Sequence, residues 1–116
     1  MRVQLQGQAL RLRIDEEELA SLLAGSAVEN ATRWPDGRVE RQRLVLAAQN
    51  GWRRSDSDWC VELAEAAARE LAMRLPSREG LSFALTTPGG EALEVLFDVD
   101  VRDSVRQRRM DKESKA

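Results

Sequence analysis

The chain has 116 residues, 42% of them hydrophobic and 33% charged, and a formal net charge of -2. This length and composition predict one soluble globular domain whose hydrophobic core is large enough to be stable without a disulfide or a structural metal. The sequence contains no histidine and one cysteine, Cys60. Imidazole general bases, Ser-His or Cys-His pairs, histidine metal ligands and an intramolecular disulfide are therefore excluded. No dinucleotide-binding or P-loop glycine motif is present, so we expect no cofactor and no metal.

The distribution of charged and apolar residues predicts the localisation of the protein and the class of partner that it binds. No apolar stretch approaches the roughly 20 residues that span a bilayer, and no signal peptide is visible. We therefore expect a cytoplasmic protein with no membrane partner. Residues 101–116 carry six basic and three acidic side chains, and the rest of the chain is acidic. This pattern is not typical of a nucleic-acid-binding protein. We place a single domain at residues 1–101 and expect residues 102–116 to be a basic, disordered tail.

The stretch from residue 10 to residue 23 predicts a strand that passes directly into a helix. Residues 10–14 alternate aliphatic side chains with arginine, which places Arg11 and Arg13 on one face and the aliphatic side chains on the other. The leucines that follow recur at helical spacing. Asp15 with Glu18 three residues later forms a variant of the capping box, which predicts that the helix begins there.

Further strands and a second helix are predicted along the rest of the chain. The predicted strands are residues 1–6, 10–14, 27–33, 39–48, 59–63, 81–87 and 92–101, and the predicted helices are residues 16–24 and 64–75. The polar residues 49–57 predict a loop or wide hairpin. The expected fold is α+β, with two short helices packed on a mainly antiparallel sheet of six to seven strands.

The order of elements is the same in the two halves of the chain. In each half a strand and a helix are followed by a strand, a turn with proline and glycine, and another strand. When residues 12–23 are aligned with residues 61–72, only Glu16/Glu65 and Leu22/Leu71 are identical. A gene duplication is therefore a hypothesis that the residues leave open.

The stretch from Gln4 to Ile14, followed by an acidic helix start, resembles the opening of a family of small bacterial proteins of unknown function. Members begin with a short strand, a glycine turn and an Arg-x-Arg strand leading into a helix with a Glu near its start. Residues 59–67 are similar to their later strand that runs into a helix. The resemblance covers most of residues 1–100 in outline, although only about the first 20 are specific. It implies the fold outline and a bacterial origin, but no activity.

The chain departs from the pattern of this family at two places. Members often have a proline at the start of the second helix, where Ala64 stands here, and many end in an acidic tail.

Two groups of residues are candidates for a binding site. Arg11 and Arg13 share one strand face, and with Arg41 and Arg43 on another strand they would form a basic patch for a carboxylate or phosphate. The alternative interpretation is a solvated sheet face on which these arginines pair with glutamates of neighbouring strands.

Trp34 and Trp52 adjoin predicted turns, where they would either form an interaction surface or cover the edges of the core. The hydrophobic neighbours of Cys60 favour a structural thiol over a nucleophile. The sequence thus favours a small binding or accessory module that acts through protein contacts, including self-association. A binder of small anions or nucleic acid is the alternative, and catalysis is less favoured.

Overall fold

The computed structural model describes residues 1–101, so the predicted basic tail lies outside the described residues. This part of the chain forms eight strands and two helices. In chain order they are β1 (Arg2–Gln6), β2 (Ala9–Asp15), α1 (Glu16–Leu23), β3 (Val28–Arg33), β4 (Val39–Ala47), β5 (Gly51–Ser55), β6 (Asp58–Ala64), α2 (Glu65–Met73), β7 (Leu81–Thr86) and β8 (Ala92–Asp100).

The strands form two four-stranded sheets. Sheet A has the order β1-β2-β8-β7, and sheet B has the order β3-β4-β6-β5. The two central pairs, β2-β8 and β4-β6, are parallel, and the outer pairs are antiparallel. The predicted α+β class and the predominance of antiparallel pairing are confirmed, whereas the single sheet of six to seven strands is wrong, because eight strands form two sheets.

The strand missing from the prediction is β5. Its sequence, Gly-Trp-Arg-Arg-Ser, has only one large hydrophobic residue and therefore lacks the alternation that marks a strand. The chain extends here because β5 pairs antiparallel with β6 along its whole length, from Gly51 opposite Glu62 to Ser55 opposite Asp58. Backbone hydrogen bonds to β6 therefore stabilise the extended conformation of β5, although β5 has no apolar face of its own.

The predicted passage from strand to helix at residues 10–23 is confirmed. The aliphatic side chains of β2 point into the core, and Arg11 and Arg13 lie on the opposite face, half-buried. The capping box is present: Asp15 Oδ1 accepts from the Glu18 N–H at 2.7 Å, and Glu18 Oε1 accepts from the Asp15 N–H at 3.1 Å. Two otherwise unpaired backbone donors are thereby satisfied at the point where the chain changes from extended to helical.

The residue before the first strand of each half reaches the start of the helix of that half. The Met1 ammonium lies 2.6 Å from Glu18 Oε2. Asn50 Oδ1 accepts from the backbone N–H of Ala64 at 2.8 Å, so it satisfies the donor whose counterpart in α1, the Asp15 N–H, is satisfied by Glu18. Both contacts fix the outer strand of a hairpin to the helix that follows it.

The strand pairing of the two halves is the same. In sheet A, Arg2 lies opposite Arg13, and in sheet B, Gly51 lies opposite Glu62. The parallel pairs also correspond, because Ala9–Asp15 faces Glu94–Asp100 and Asp58–Ala64 faces Arg41–Ala47. Every element of the first half therefore has a counterpart at an equivalent register in the second half, with the two sheets exchanged.

One contiguous hydrophobic core extends through both sheets and both helices. It is dominated by aliphatic side chains of the four central strands and by one face of each helix. Its members are Leu10, Leu12, Ile14, Leu19, Leu22, Val28, Leu44, Trp59, Val61, Leu63, Leu71, Val95, Phe97 and Val99. The counterparts Leu12 and Val61, and likewise Leu44 and Phe97, are all fully buried.

Replacing Asp15 with alanine removes the acceptor at the start of α1. We expect Asp15→Ala to lower the free energy of unfolding by about 1 kcal/mol, measured by urea denaturation. Glu17→Ala is the matched control, because Glu17 is an exposed acidic residue in the same helical turn. Equal losses for the two variants would contradict the role of the cap.

The turns between β1 and β2 and between β5 and β6 provide a second test of the correspondence. Gly7 has a φ of +55°, and Asp56 at the equivalent position has a φ of +46°. Glycine adopts this conformation without steric cost, so we expect Asp56→Gly to stabilise the protein by roughly 0.5 kcal/mol. Gly7→Asp is expected to destabilise it. A stability loss for Asp56→Gly in chemical denaturation would be the contrary result.

Candidate functional site

The four candidate arginines lie in two separate sheets. Arg11 and Arg13 are on β2 of sheet A, and Arg41 and Arg43 are on β4 of sheet B. All four point away from the core, because they alternate with buried residues on their strands. The structure therefore brings them together as two pairs, and not as one group of four.

The pair on sheet A shares one carboxylate. Arg11 Nη2 lies 2.6 Å from Asp98 Oδ2, and Arg13 Nε lies 4.0 Å from Asp98 Oδ1. Asp98 stands directly opposite Arg13 in the parallel pairing, and its side chain is 16% exposed. Charge compensation by a partly buried carboxylate leaves this face with less capacity to attract an anion than two free arginines would have.

On sheet B, Arg43 Nε lies 2.6 Å from Glu29 Oε1 on the neighbouring strand β3. Arg53 Nε on β5 lies 3.5 Å from Glu62 Oε1. Arg43, Arg53 and Cys60 line a shallow depression of about 330 Å³ on the outer face of this sheet. The cross-strand pairing with glutamate that the sequence offered as an alternative is thus seen here for Arg43.

Cys60 is half-buried at the centre of this face, and its Sγ donates to the Val61 carbonyl at 3.8 Å. Burial raises the pKa of the Cys60 thiol above its ordinary value, and the neighbouring Arg53 guanidinium opposes part of that increase. Because the thiolate is the nucleophilic form, a raised pKa disfavours nucleophilic chemistry at neutral pH.

Both candidate tryptophans belong to sheet B: Trp34 lies in the turn at one end of the sheet, and Trp52 lies on the edge strand β5 opposite Val61. Trp34 is 48% exposed in the turn between β3 and β4, where its backbone N–H donates to the Arg38 carbonyl at 2.8 Å. Trp52 is 40% exposed on β5, and the Arg54 guanidinium lies 5.2 Å from the centre of its ring. Trp34, Glu40 and Arg54 line a depression of about 680 Å³. We call Trp34, Glu40, Trp52 and Arg54 the tryptophan tip, because Arg54 lines the depression with Trp34 and Glu40 and also contacts the Trp52 ring.

A chain of polar side chains connects the core to the tryptophan tip. Asn30 Nδ2 donates to Gln42 Oε1 at 2.8 Å, and Gln42 Nε2 donates to Glu40 Oε1 at 3.2 Å. Gln42 lies on the core-facing side of β4 and is only 6% exposed, although its side chain is polar. These hydrogen bonds satisfy a buried amide and hold the Glu40 carboxylate in a fixed position.

Sheet A is built differently at the equivalent positions. Glu40 and Gln42 of β4 correspond to Leu93 and Val95 of β8, as the common register requires. The remaining counterparts in sheet A are Thr87 for Trp34, Val3 for Trp52, Leu5 for Arg54 and Phe83 for Asn30. The same backbone arrangement is therefore compatible with a mainly aliphatic surface, and the aromatic and charged side chains of the tip are not needed to form the sheet.

The sequence predicted Trp34 and Trp52 as candidates but missed the other members of this surface. Glu40 and Gln42 occupy alternate positions on a strand whose later residues on that face are Leu44 and Leu46. A polar pair on an otherwise apolar face was the available signal. Arg54 could not be found this way, since β5 itself was predicted as loop.

No protein-family model and no curated protein matches this chain. Within residues 1–101, no group of three or more Cys, Asp or Glu side chains is arranged to hold a metal ion. No helix of this same region is long and apolar enough to cross a membrane.

The pKa of Cys60 gives a pH-dependent prediction. We expect the rate of its alkylation by iodoacetamide to rise at a higher pH than that of a solvent-exposed cysteine, because burial disfavours the thiolate. Arg53→Gln removes the opposing cation and should move the alkylation profile to still higher pH. Arg2→Gln on sheet A is the matched control and should leave the profile unchanged. A shift to lower pH in Arg53→Gln would contradict this electrostatic account.

Proposed function

We propose that the protein is a small cytoplasmic binding or accessory module that acts through protein contacts, and that the tryptophan tip is its contact surface. The observation that carries this proposal is the contrast between the two sheets. At equivalent positions sheet A has Val3, Leu5 and Leu93, whereas sheet B has Trp52, Arg54 and Glu40.

The residue types of the tryptophan tip are those that contribute most to protein interfaces. Trp and Arg are enriched among residues whose truncation weakens binding strongly. Trp34 and Trp52 keep large parts of their rings accessible, and Arg54 is positioned by its contact with Trp52. Such a surface is ordered before binding, which reduces the entropy that an interface must lose.

The chemistry of the described residues favours binding over catalysis. The chain has no histidine, and burial raises the pKa of its single thiol. A buried carboxylate in a closed pocket would be the pattern expected of an enzyme. The depression beside Glu40 is instead shallow and bordered by turn residues such as Asp36 and Ser57.

Binding of a small anion or nucleic acid by the arginines has less support. Arg11 and Arg43 lie in different sheets, and each forms an ion pair at 2.6 Å. An anion would have to compete with Asp98 or Glu29 for the guanidinium group.

The origin of the chain is a further part of the proposal. The equivalent registers of the two sheets support descent from a duplicated unit of two hairpins joined by a helix. Failure of the two halves to superpose would contradict this. Membership of the bacterial family suggested by residues 4–14 rests on sequence resemblance alone.

Affinity capture from an extract of the native cell tests the contact surface. Truncation of an interface tryptophan commonly costs about 2 kcal/mol or more, so we expect Trp34→Ala/Trp52→Ala to reduce capture of the specific partner by roughly 30-fold or more. Captured proteins would be quantified by mass spectrometry against bare resin.

Met73→Ala is the matched control, because Met73 is an 88% exposed hydrophobic residue on α2, outside the tryptophan tip. It should capture the same proteins as the unmodified chain, and circular dichroism should show all variants folded. Identical capture by the tryptophan variant and the unmodified chain would refute the tip as a contact surface.

A further inference from the structure

The outer edge of β7 has unused backbone hydrogen-bonding groups. In sheet A, β7 pairs with β8 and with no other strand of residues 1–101. The hairpin closes with a hydrogen bond from the Thr87 N–H to the Glu91 carbonyl at 2.8 Å. Because antiparallel pairing alternates, the N–H and C=O groups of Ser82, Ala84 and Thr86 then point away from β8. All three residues are exposed.

The side chains of β7 do not protect this edge. Its sequence, Leu-Ser-Phe-Ala-Leu-Thr, contains no charged residue and no proline. The other three edge strands do carry charge. The charged residues are Arg2 on β1, Glu29 and Arg33 on β3, and Arg53 and Arg54 on β5. Charged side chains and proline are the usual means by which an edge strand avoids pairing with another chain.

We propose that β7 is a self-association surface, on which two copies of this chain pair their β7 strands antiparallel about a two-fold axis. A two-fold interface requires one surface that is complementary to itself. With the axis at Ala84, Ala84 of one copy faces Ala84 of the other, and Ser82 faces Thr86. The outward N–H and C=O groups of these residues then form about six hydrogen bonds between the copies.

The same register also aligns the faces of the two sheets. Phe83 of one copy faces Leu85 of the other, so half-buried apolar side chains meet across the axis on the core-facing side. The small side chains of Ser82 and Ala84 allow close approach on the outer side. The partner is therefore a second copy of this chain, and the product is a continuous eight-stranded sheet.

The dimer should be weak. One strand pair buries less than the roughly 1,200–2,000 Å² of a standard stable interface. We expect a dissociation constant on the order of 100 µM. Sedimentation equilibrium of the 116-residue chain from about 10 µM to about 1 mM should show the mean mass rising from 13.0 kDa towards twice that value.

Ala84→Lys tests the surface directly, because it places two like charges opposite each other at the axis. It should weaken dimerisation about fivefold, since like charges directly opposite are unfavourable. Ala31→Lys is the matched control. Ala31 is an exposed alanine at the equivalent position of β3, facing Arg41 as Ala84 faces Glu94. This variant should dimerise like the unmodified chain.

Hydrogen exchange of the unmodified chain gives a second measurement that needs no variant. The amides of Ser82, Ala84 and Thr86 should exchange more slowly at high than at low protein concentration. The proposal is overturned if the chain keeps its monomer mass up to about 1 mM, if these amides show no concentration dependence, or if Ala31→Lys and not Ala84→Lys abolishes the dimer. Trp34→Ala/Trp52→Ala should dimerise normally, which separates this proposal from that on the tryptophan tip.

Discussion

The parallel pairing of β2 with β8, and of β4 with β6, is the constraint on which the rest of the structure depends. It joins strands from opposite halves of the chain, so that sheet A contains β1 and β2 with β7 and β8, and sheet B contains the four strands between them in sequence. Each helix connects a strand of one sheet to a strand of the other. Neither half can complete a sheet by itself, and the shared core between the sheets follows from this exchange.

The local features of the fold could be predicted from the sequence, and the long-range ones could not. The alternation at residues 10–14 and the Asp15–Glu18 spacing specify a strand, a helix and the point between them, because these signals involve neighbouring residues. Parallel pairing leaves no comparable local mark, since its partners are not consecutive strands: Ala9 faces Glu94 across most of the described chain, and Arg41 faces Asp58 across β5. The division of the strands between two sheets was therefore not predicted.

For the candidate site as well, the sequence indicated individual residues but not which of them are neighbours in the fold. Trp34 and Trp52 stood out by residue type, but their membership of one surface depends on the pairing of β5 with β6 and β4 with β6. Arg11 and Arg43 stood out in the same way, and the structure places them on separate sheets beside different carboxylates. Residue chemistry identified which side chains are unusual, whereas sheet topology decided which of them are neighbours.

The exchange of strands between the halves has a consequence for biosynthesis. β8 is the last of the described strands to be made, and it is the central neighbour of β2, which is made near the beginning. The edge of β2 that faces β8 must therefore stay unpaired until β8 has left the ribosome. Sheet B, whose strands are contiguous in sequence, can assemble earlier, before the hairpins β1-β2 and β7-β8 pair with each other.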